Sequence, residues 1–306
     1  MATNSFDVVS SGLLNEKFYE TEVLRALNNT VGGLRAAVNN KGIITGNQIQ
    51  FPLVDGDGIA RNVNDGSPTV PDQLLAQTKT ATILPYEAAI SLYRTQLNAT
   101  STAASLRAEA AAAAVTRMEN RFTDTILTAM MQYDDTNMEL GSSSSEFDID
   151  MLMELDYMTR KANWGDNDKY LLLPPEAEYA MKQDQKFNEL WSNYTGREVL
   201  PQWQSTVENA ASIRWYRYGG YNIGFMGVKG GKNTVGLPVA ADTSHMGFAW
   251  KRARVGFGMN MGLETRVFED TTKQGNPIVF KSNGACGAAI IDLDGVIGIK
   301  IKPTIS

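Results

Sequence analysis

Between residues 101 and 132 the chain holds neither glycine nor proline, and Val115, Met118, Phe122, Ile126 and Met130 follow one another at steps of three or four. That spacing sets five apolar side chains on one face of an α-helix, with Arg117, Asn120, Arg121 and Asp124 on the others. Ser101 or Thr102 can cap its start. The alanine run 110–114 has high helix propensity and a thin side-chain layer, so a neighbouring backbone can come close. A helix over 101–132 would be about 45 Å long at 1.5 Å per residue, more than most globular domains need.

The segment before it, 44–85, has a different period. Asn47 to Leu53 alternates polar and apolar residues, and Leu74 to Ile83 returns as a threonine-rich strand. Between them, DGDG at 55–58 and NDGSP at 64–68 supply turn chemistry. The pattern predicts a hairpin arm. A two-stranded ribbon is marginally stable alone in water, and a connection of this length is unusual inside a compact domain. The arm is therefore expected to lie on a neighbouring subunit through Ile49, Phe51, Leu53, Leu74 and Leu75. Ahead of it, Leu13, Leu14, Phe18, Val23, Leu24 and Leu27 predict an amphipathic helix within 12–39, broken at Asn28-Asn29 and Gly32-Gly33, in an amino-terminal arm.

Downstream, GSSSSE at 141–146 is a break, followed by a helix at about 148–162. A strand at 170–173 leads through Pro174-Pro175 into a helix at about 175–191, proline being suited to a first helical turn. Residues 219–227 read as a buried strand and 228–233 as a loop. From 246 onward the pattern is all strand, with turns at 275–277 and 294–295. The succession is a compact α/β unit followed by long returning strands.

Composition narrows the function. At 306 residues, 43% hydrophobic and 20% charged, the chain is of globular type with a sizeable core. A net charge of −6 argues against a dedicated nucleic-acid binder and against adhesion to anionic membranes. Cys286 is the single cysteine, which excludes an internal disulfide and fits a reducing compartment. No run approaches the apolar length of a membrane span, and no basic-then-apolar leader opens the sequence, so folding in a cytoplasm is expected.

The candidate chemistry is sparse. His245 is the only histidine, and is expected at the surface or as a cap; one His and one Cys cannot supply a zinc site. Cys286, in GACGAA, reads as a small buried hydrophobe. VKGGKN at 228–233 fails the phosphate-loop pattern, with Met226 and Asn233 at the required Gly and Ser/Thr positions. DGDG at 55–58 and DLDG at 292–295 lack the calcium-loop glutamate, having Gly66 and Pro303 there. The acid pairs Asp134-Asp135, Glu269-Asp270 and Asp148 with Asp150 read as solvated turns. The basic-aromatic runs 214–218 and 250–254 read as intersubunit ion pairs and stacking. No constellation carries a reaction, so no catalytic residue, cofactor or metal is expected.

The order of parts resembles the HK97-type major capsid protein of tailed double-stranded DNA phages, and of short-tailed or related phages in particular, because no long scaffolding-like segment precedes the arm. The resemblance is carried by the FPLVDGDG…GSPTVPD loop, the long helix, and YLLLPPEAEYAMKQDQKF, and covers nearly the whole chain. It implies an α+β fold divided into an N-terminal arm (1–43), an extended loop (44–85), a peripheral domain (86–164 and 246–306) with a spine helix at 101–132, and an axial domain (165–245). It implies hexamers and pentamers closing an icosahedral shell around packaged DNA, with a portal protein and, in some members, scaffolding and cement or decoration proteins as partners. It also implies assembly in the bacterial host cytoplasm and residence in the virion. Some members weld subunits by a Lys–Asn bond; no residue-by-residue match brings that chemistry to Lys79. A mildly acidic chain suits an inner wall that touches DNA weakly and without specificity. The alternatives are an encapsulin-like nanocompartment shell, a carbohydrate-active soluble domain drawing on the five Trp, and a surface-layer or filament protein.

Overall fold

The computed structural model describes residues 34–54, 76–93, 103–184, 213, 215–218, 220–230, 235–274 and 277–303. A 3-10 turn at Leu34–Ala37 leads into β1 (Asn39–Ile44), then β2 (Gln48–Val54), β3 (Ala76–Thr82) and β4 (Leu84–Leu92). The long helix α1 follows (Ala103–Met130), then β5 (Glu139–Gly141), α2 (Ile149–Lys161), β6 (Lys169–Leu173) and α3 (Pro175–Gln183). The chain closes with β7 (Trp215–Tyr218), β8 (Tyr221–Phe225), β9 (His245–Lys251), β10 (Val255–Glu269), β11 (Ile278–Ile290) and β12 (Val296–Ile301).

The strands form a four-stranded sheet in the order β1-β10-β11-β4, a six-stranded sheet in the order β5-β12-β9-β6-β8-β7, and the separate pair β2-β3. β10 and β11 are antiparallel over most of their length, with the register shifting between Asn260 and Glu264. β4 pairs with β11 from Cys286↔Leu84 to Ile278↔Leu92. In the six-stranded sheet β6 runs parallel to β8 and antiparallel to β9.

Helix α1 packs in a core that joins both larger sheets: Met118, Phe122, Ile126 and Met130 meet Phe257, Phe280 and Cys286 of one sheet and Leu172, Phe248 and Trp250 of the other. A second core lies on the opposite face of the six-stranded sheet, where Leu152 and Leu155 of α2 and Ala177 and Met181 of α3 meet Leu171, Leu173, Ile223 and Ile297. β6 thus buries Leu172 on one face and Leu171 and Leu173 on the other, which is why 171–173 is continuously apolar instead of alternating. α2 is capped by Asp148, whose Oδ1 accepts from Met151 N at 2.8 Å. α3 begins on Pro175, as the sequence predicts, but ends at Gln183 with Asp184 as an extended C-cap, short of the expected 191.

The returning strands 246–306 read as one run but divide between two sheets. β10 and β11 join β1 and β4, whereas β9 and β12 are the centre of the sheet that carries α2 and α3. An all-strand pattern fixes the strands but not their partners. The amino-terminal arm also differs from expectation: Leu34, Ala37 and Val38 are buried in the main core and 39–44 is a sheet strand. The helix expected from Leu13 onward lies outside the described residues as far as 33.

Candidate assembly surfaces

Helix α1 spends its apolar stripe on its own subunit. Met118, Phe122, Ile126 and Met130 have no exposure, each such burial contributing about 1.5–3 kcal/mol; the side chain of Val115 lies outside the described ones. The Phe122 ring meets Tyr86 and Phe257 edge-on, at 5.8 and 5.6 Å between centroids. Arg35 stands 4.8 Å over the same ring and ion-pairs with Glu119. Burial pushes the Glu119 carboxyl up to about 7, against the opposing pull of Arg35. Burial also raises the phenol of Tyr86. Nearby, Trp250 Nε1 donates to the Ala37 carbonyl at 2.8 Å. Residues 34–38 are therefore fixed between α1 and β9 by charge, a ring face and a buried hydrogen bond. The Arg35–Glu119 pair carried no sequence signal, since the two residues belong to separate segments.

The β2–β3 hairpin was expected to place Ile49 and Phe51 on a neighbouring subunit. Both are instead 1% exposed within their own chain, in a small cluster with Ala81, Ile83 and Ile291. Leu53 is half-buried against the same cluster. The physical reason is a glycine floor: Gly256 and Gly258 of β10 leave room for the Phe51 ring and for Ile49. Across the pair, Gln48, Gln50, Pro52, Thr78, Thr80 and Thr82 are exposed. Among the described residues β2 and β3 pair only with each other, so the outer backbone edge of each is open. Leu74, Leu75 and the turn segment 55–75 lie outside the described residues.

The remaining candidates settle into structural roles. His245 Nδ1 lies 3.3 Å from Glu176 Oε1, so it has an acidic neighbour that the sequence did not indicate. Glu176 lines a cavity of about 290 Å³ together with Glu146, Asp148, Asp184 and Lys302, and among the described residues no Ser, Thr or Cys lines it. Asp148 and Asp184 accept from the first amides of α2. Cys286 is buried with Thr125 Oγ1 3.4 Å from its sulfur, and burial raises its thiol. Asp292 accepts from Asp294 N at 3.2 Å and pairs with Arg254 at 2.6 Å, so DLDG is a tied turn. Hydrogen bonds from Asn137 and Thr136 hold the Asp134 carboxyl low.

Trp215 and Trp250 of the basic-aromatic runs face inward, so their rings are not available for intersubunit stacking, whereas Arg217 and Arg252 are exposed. Trp250 stacks on Tyr170 at 5.7 Å, and Trp215 meets both rings edge-on inside the core. Lys169, unremarked in the sequence, is buried beside Asp156 at 3.6 Å and under the Tyr221 ring at 5.2 Å. Among the described residues no three His, Cys, Asp or Glu gather as a metal site. No described helix is long and apolar enough to cross a membrane.

A family model described as phage capsid protein matches residues 13–302. No curated protein matches by sequence. Among solved structures, the capsid of Ralstonia phage GP4 is similar at 14% identity and TM-score 0.59, covering 88% of this chain and 89% of that one. The acidic stable capsid of Helicobacter pylori bacteriophage KHP30 is similar at 12% identity and TM-score 0.60, covering 87% and 88%. A virus-like particle from Pyrococcus furiosus is similar at 12% identity and TM-score 0.52, covering 91% and 96%.

Proposed function

The chain belongs to the phage capsid protein family, and from that membership we propose that its β2–β3 hairpin ties one copy to the next in an icosahedral shell of hexamers and pentamers. It is a major capsid protein and its place is the virion. The encapsulin-like alternative is not favoured, because the matching family is that of phage capsids; the likeness to the Pyrococcus particle is one of fold. Its role is structural, and no reaction is assigned to it.

One observation supports the role of the hairpin. β2 and β3 are seated at their base on the subunit's own sheet, yet among the described residues they join neither larger sheet, and their outer edges stay open. Unpaired strand edges are templates for another chain. The contact to a neighbour then falls on those edges and on the segment 55–75, while Ile49 and Phe51 serve as the anchor. A portal protein, scaffolding or decoration proteins, and weak contact with packaged DNA complete the proposed set of partners, with synthesis in the host cytoplasm. Deleting 55–72 tests the reading. The variant is expected to remain a folded, soluble subunit that forms no shells; closed shells from it would overturn the role given to the hairpin.

A further inference from the structure

We propose that Gly256 and Gly258 of β10 and Gly287 of β11 form a seat that sets the direction of the β2–β3 hairpin, which makes them positioning residues for shell assembly although they lie in the subunit's own sheet. The inference rests on the assembly role proposed for the hairpin, and concerns what aims it.

The seat follows from strand alternation. Phe257 points into the core around α1, so Gly256 and Gly258 face the opposite side, where the hairpin lies. A Cβ at Gly256 would stand 2.6 Å from Phe51 Cε2 and nearer still to the leading edge of the ring. A Cβ at Gly258 would stand 2.9 Å from Ile49 Cδ1. At Gly287 on the adjacent strand it would meet the Thr82 carbonyl, 2.5 Å to the oxygen and 3.1 Å to the carbon. The hairpin therefore rests on bare backbone at three places, two under β2 and one under β3. Glycine in a strand interior commonly marks such a close approach. Three supports on two strands resist rotation as well as sliding.

The base is also closed behind the seat. Ile83 N donates to the Asn47 carbonyl at 3.0 Å, and Ile83 alone separates β3 from β4. The hairpin thus cannot pivot freely at its root, and its inclination is set by how deeply Phe51, Ile49 and Thr82 sit. None of the three glycines has a left-handed φ, so alanine suits the backbone at each. Its effect is to lift the hairpin off the sheet, because the Phe51 ring is 1% exposed and rigid, with nowhere to retreat. A lift at the base tilts everything β2 and β3 carry.

The test is Gly256→Ala, Gly258→Ala and Gly287→Ala in the full chain, with the 55–72 deletion alongside. Folding is read by far-UV circular dichroism and cooperative melting of unassembled subunits, and assembly by electron microscopy and sedimentation. The expected result is a folded subunit whose closed shells are lost or shifted in diameter, and the diameter is a readout that mere loss of stability does not move. Phe51→Leu supplies an independent variant where an alanine prevents folding: with the ring contact removed and the floor intact, shells of mixed or altered diameter are expected. If the deletion abolishes shells while the alanine variants, or Phe51→Leu, give shells of unaltered diameter, the seat is refuted and the role of the hairpin stands. If the deletion variant itself forms normal shells, both fall.

Discussion

Raising the pH through Glu119's titration should weaken the unassembled subunit, and the size of the effect follows from burial. Glu119 is 1% exposed, so solvent screening gives little discount. Its carboxyl moves from an ordinary 4.5 to about 7, burial outweighing the ion pair with Arg35. At ~1.4 kcal/mol per pH unit that separation is worth about 3 kcal/mol. The folded state holds the proton more tightly than the unfolded state. The contribution is thus fully present below 4.5, declines as pH rises, and is gone above about 7. The carboxylates held low, Asp134, Asp242 and Asp270, act in the opposite sense, and theirs is lost only as pH falls below the ordinary 3.8. The assay is urea unfolding of unassembled subunits from pH 4.5 to 8, for the natural chain and for Glu119→Gln. The difference between the two curves should change by about 3 kcal/mol across the window, the glutamine variant lacking the decline. Parallel curves would refute the account, as would a natural chain that gains stability relative to the variant. Parallel curves would mean that the Arg35 pair balances desolvation, and a relative gain that it outweighs it.

Two further predictions concern buried contacts. Trp250→Phe keeps most of the ring but removes the donor to the Ala37 carbonyl, which should cost about 1–3 kcal/mol and speed amide exchange over 34–38 more than in α2; equal change in both would contradict the anchoring role. Cys286, buried with a raised thiol, should react with iodoacetamide slowly in the native subunit and rapidly in denaturant; comparable rates would place it at an accessible surface.

How far the sequence reveals the fold depends on whether the determinant is local. The period of α1, the proline entry to α3 and the alternation of β2 are properties of adjacent residues, and each appears in the structure close to where the sequence places it, although α3 stops at Gln183. The fate of Ile49 and Phe51 is not local. Their alternation marks them as one face of a strand, but what covers that face is a pair of glycines some two hundred positions later, whose missing side chains leave no hydrophobic signal. The same holds for Trp250 and Trp215, whose basic neighbours suggested a surface while Tyr170 and α1 enclose their rings. Strand pairing is likewise non-local, which is why 246–306 reads as one run yet divides between two sheets. The assembly candidates were thus half legible: the hairpin itself was, and the division of its residues between anchor and contact was not.

A density map of particles formed by the purified full chain bears most directly on the idea that this subunit is completed by its neighbours. The account predicts closed shells in which residues 55–75 of one copy lie across an adjacent copy while Ile49 and Phe51 remain on their own sheet. Shells in which 55–75 fold back on the copy they belong to, with no neighbour touching the β2–β3 edges, would contradict it.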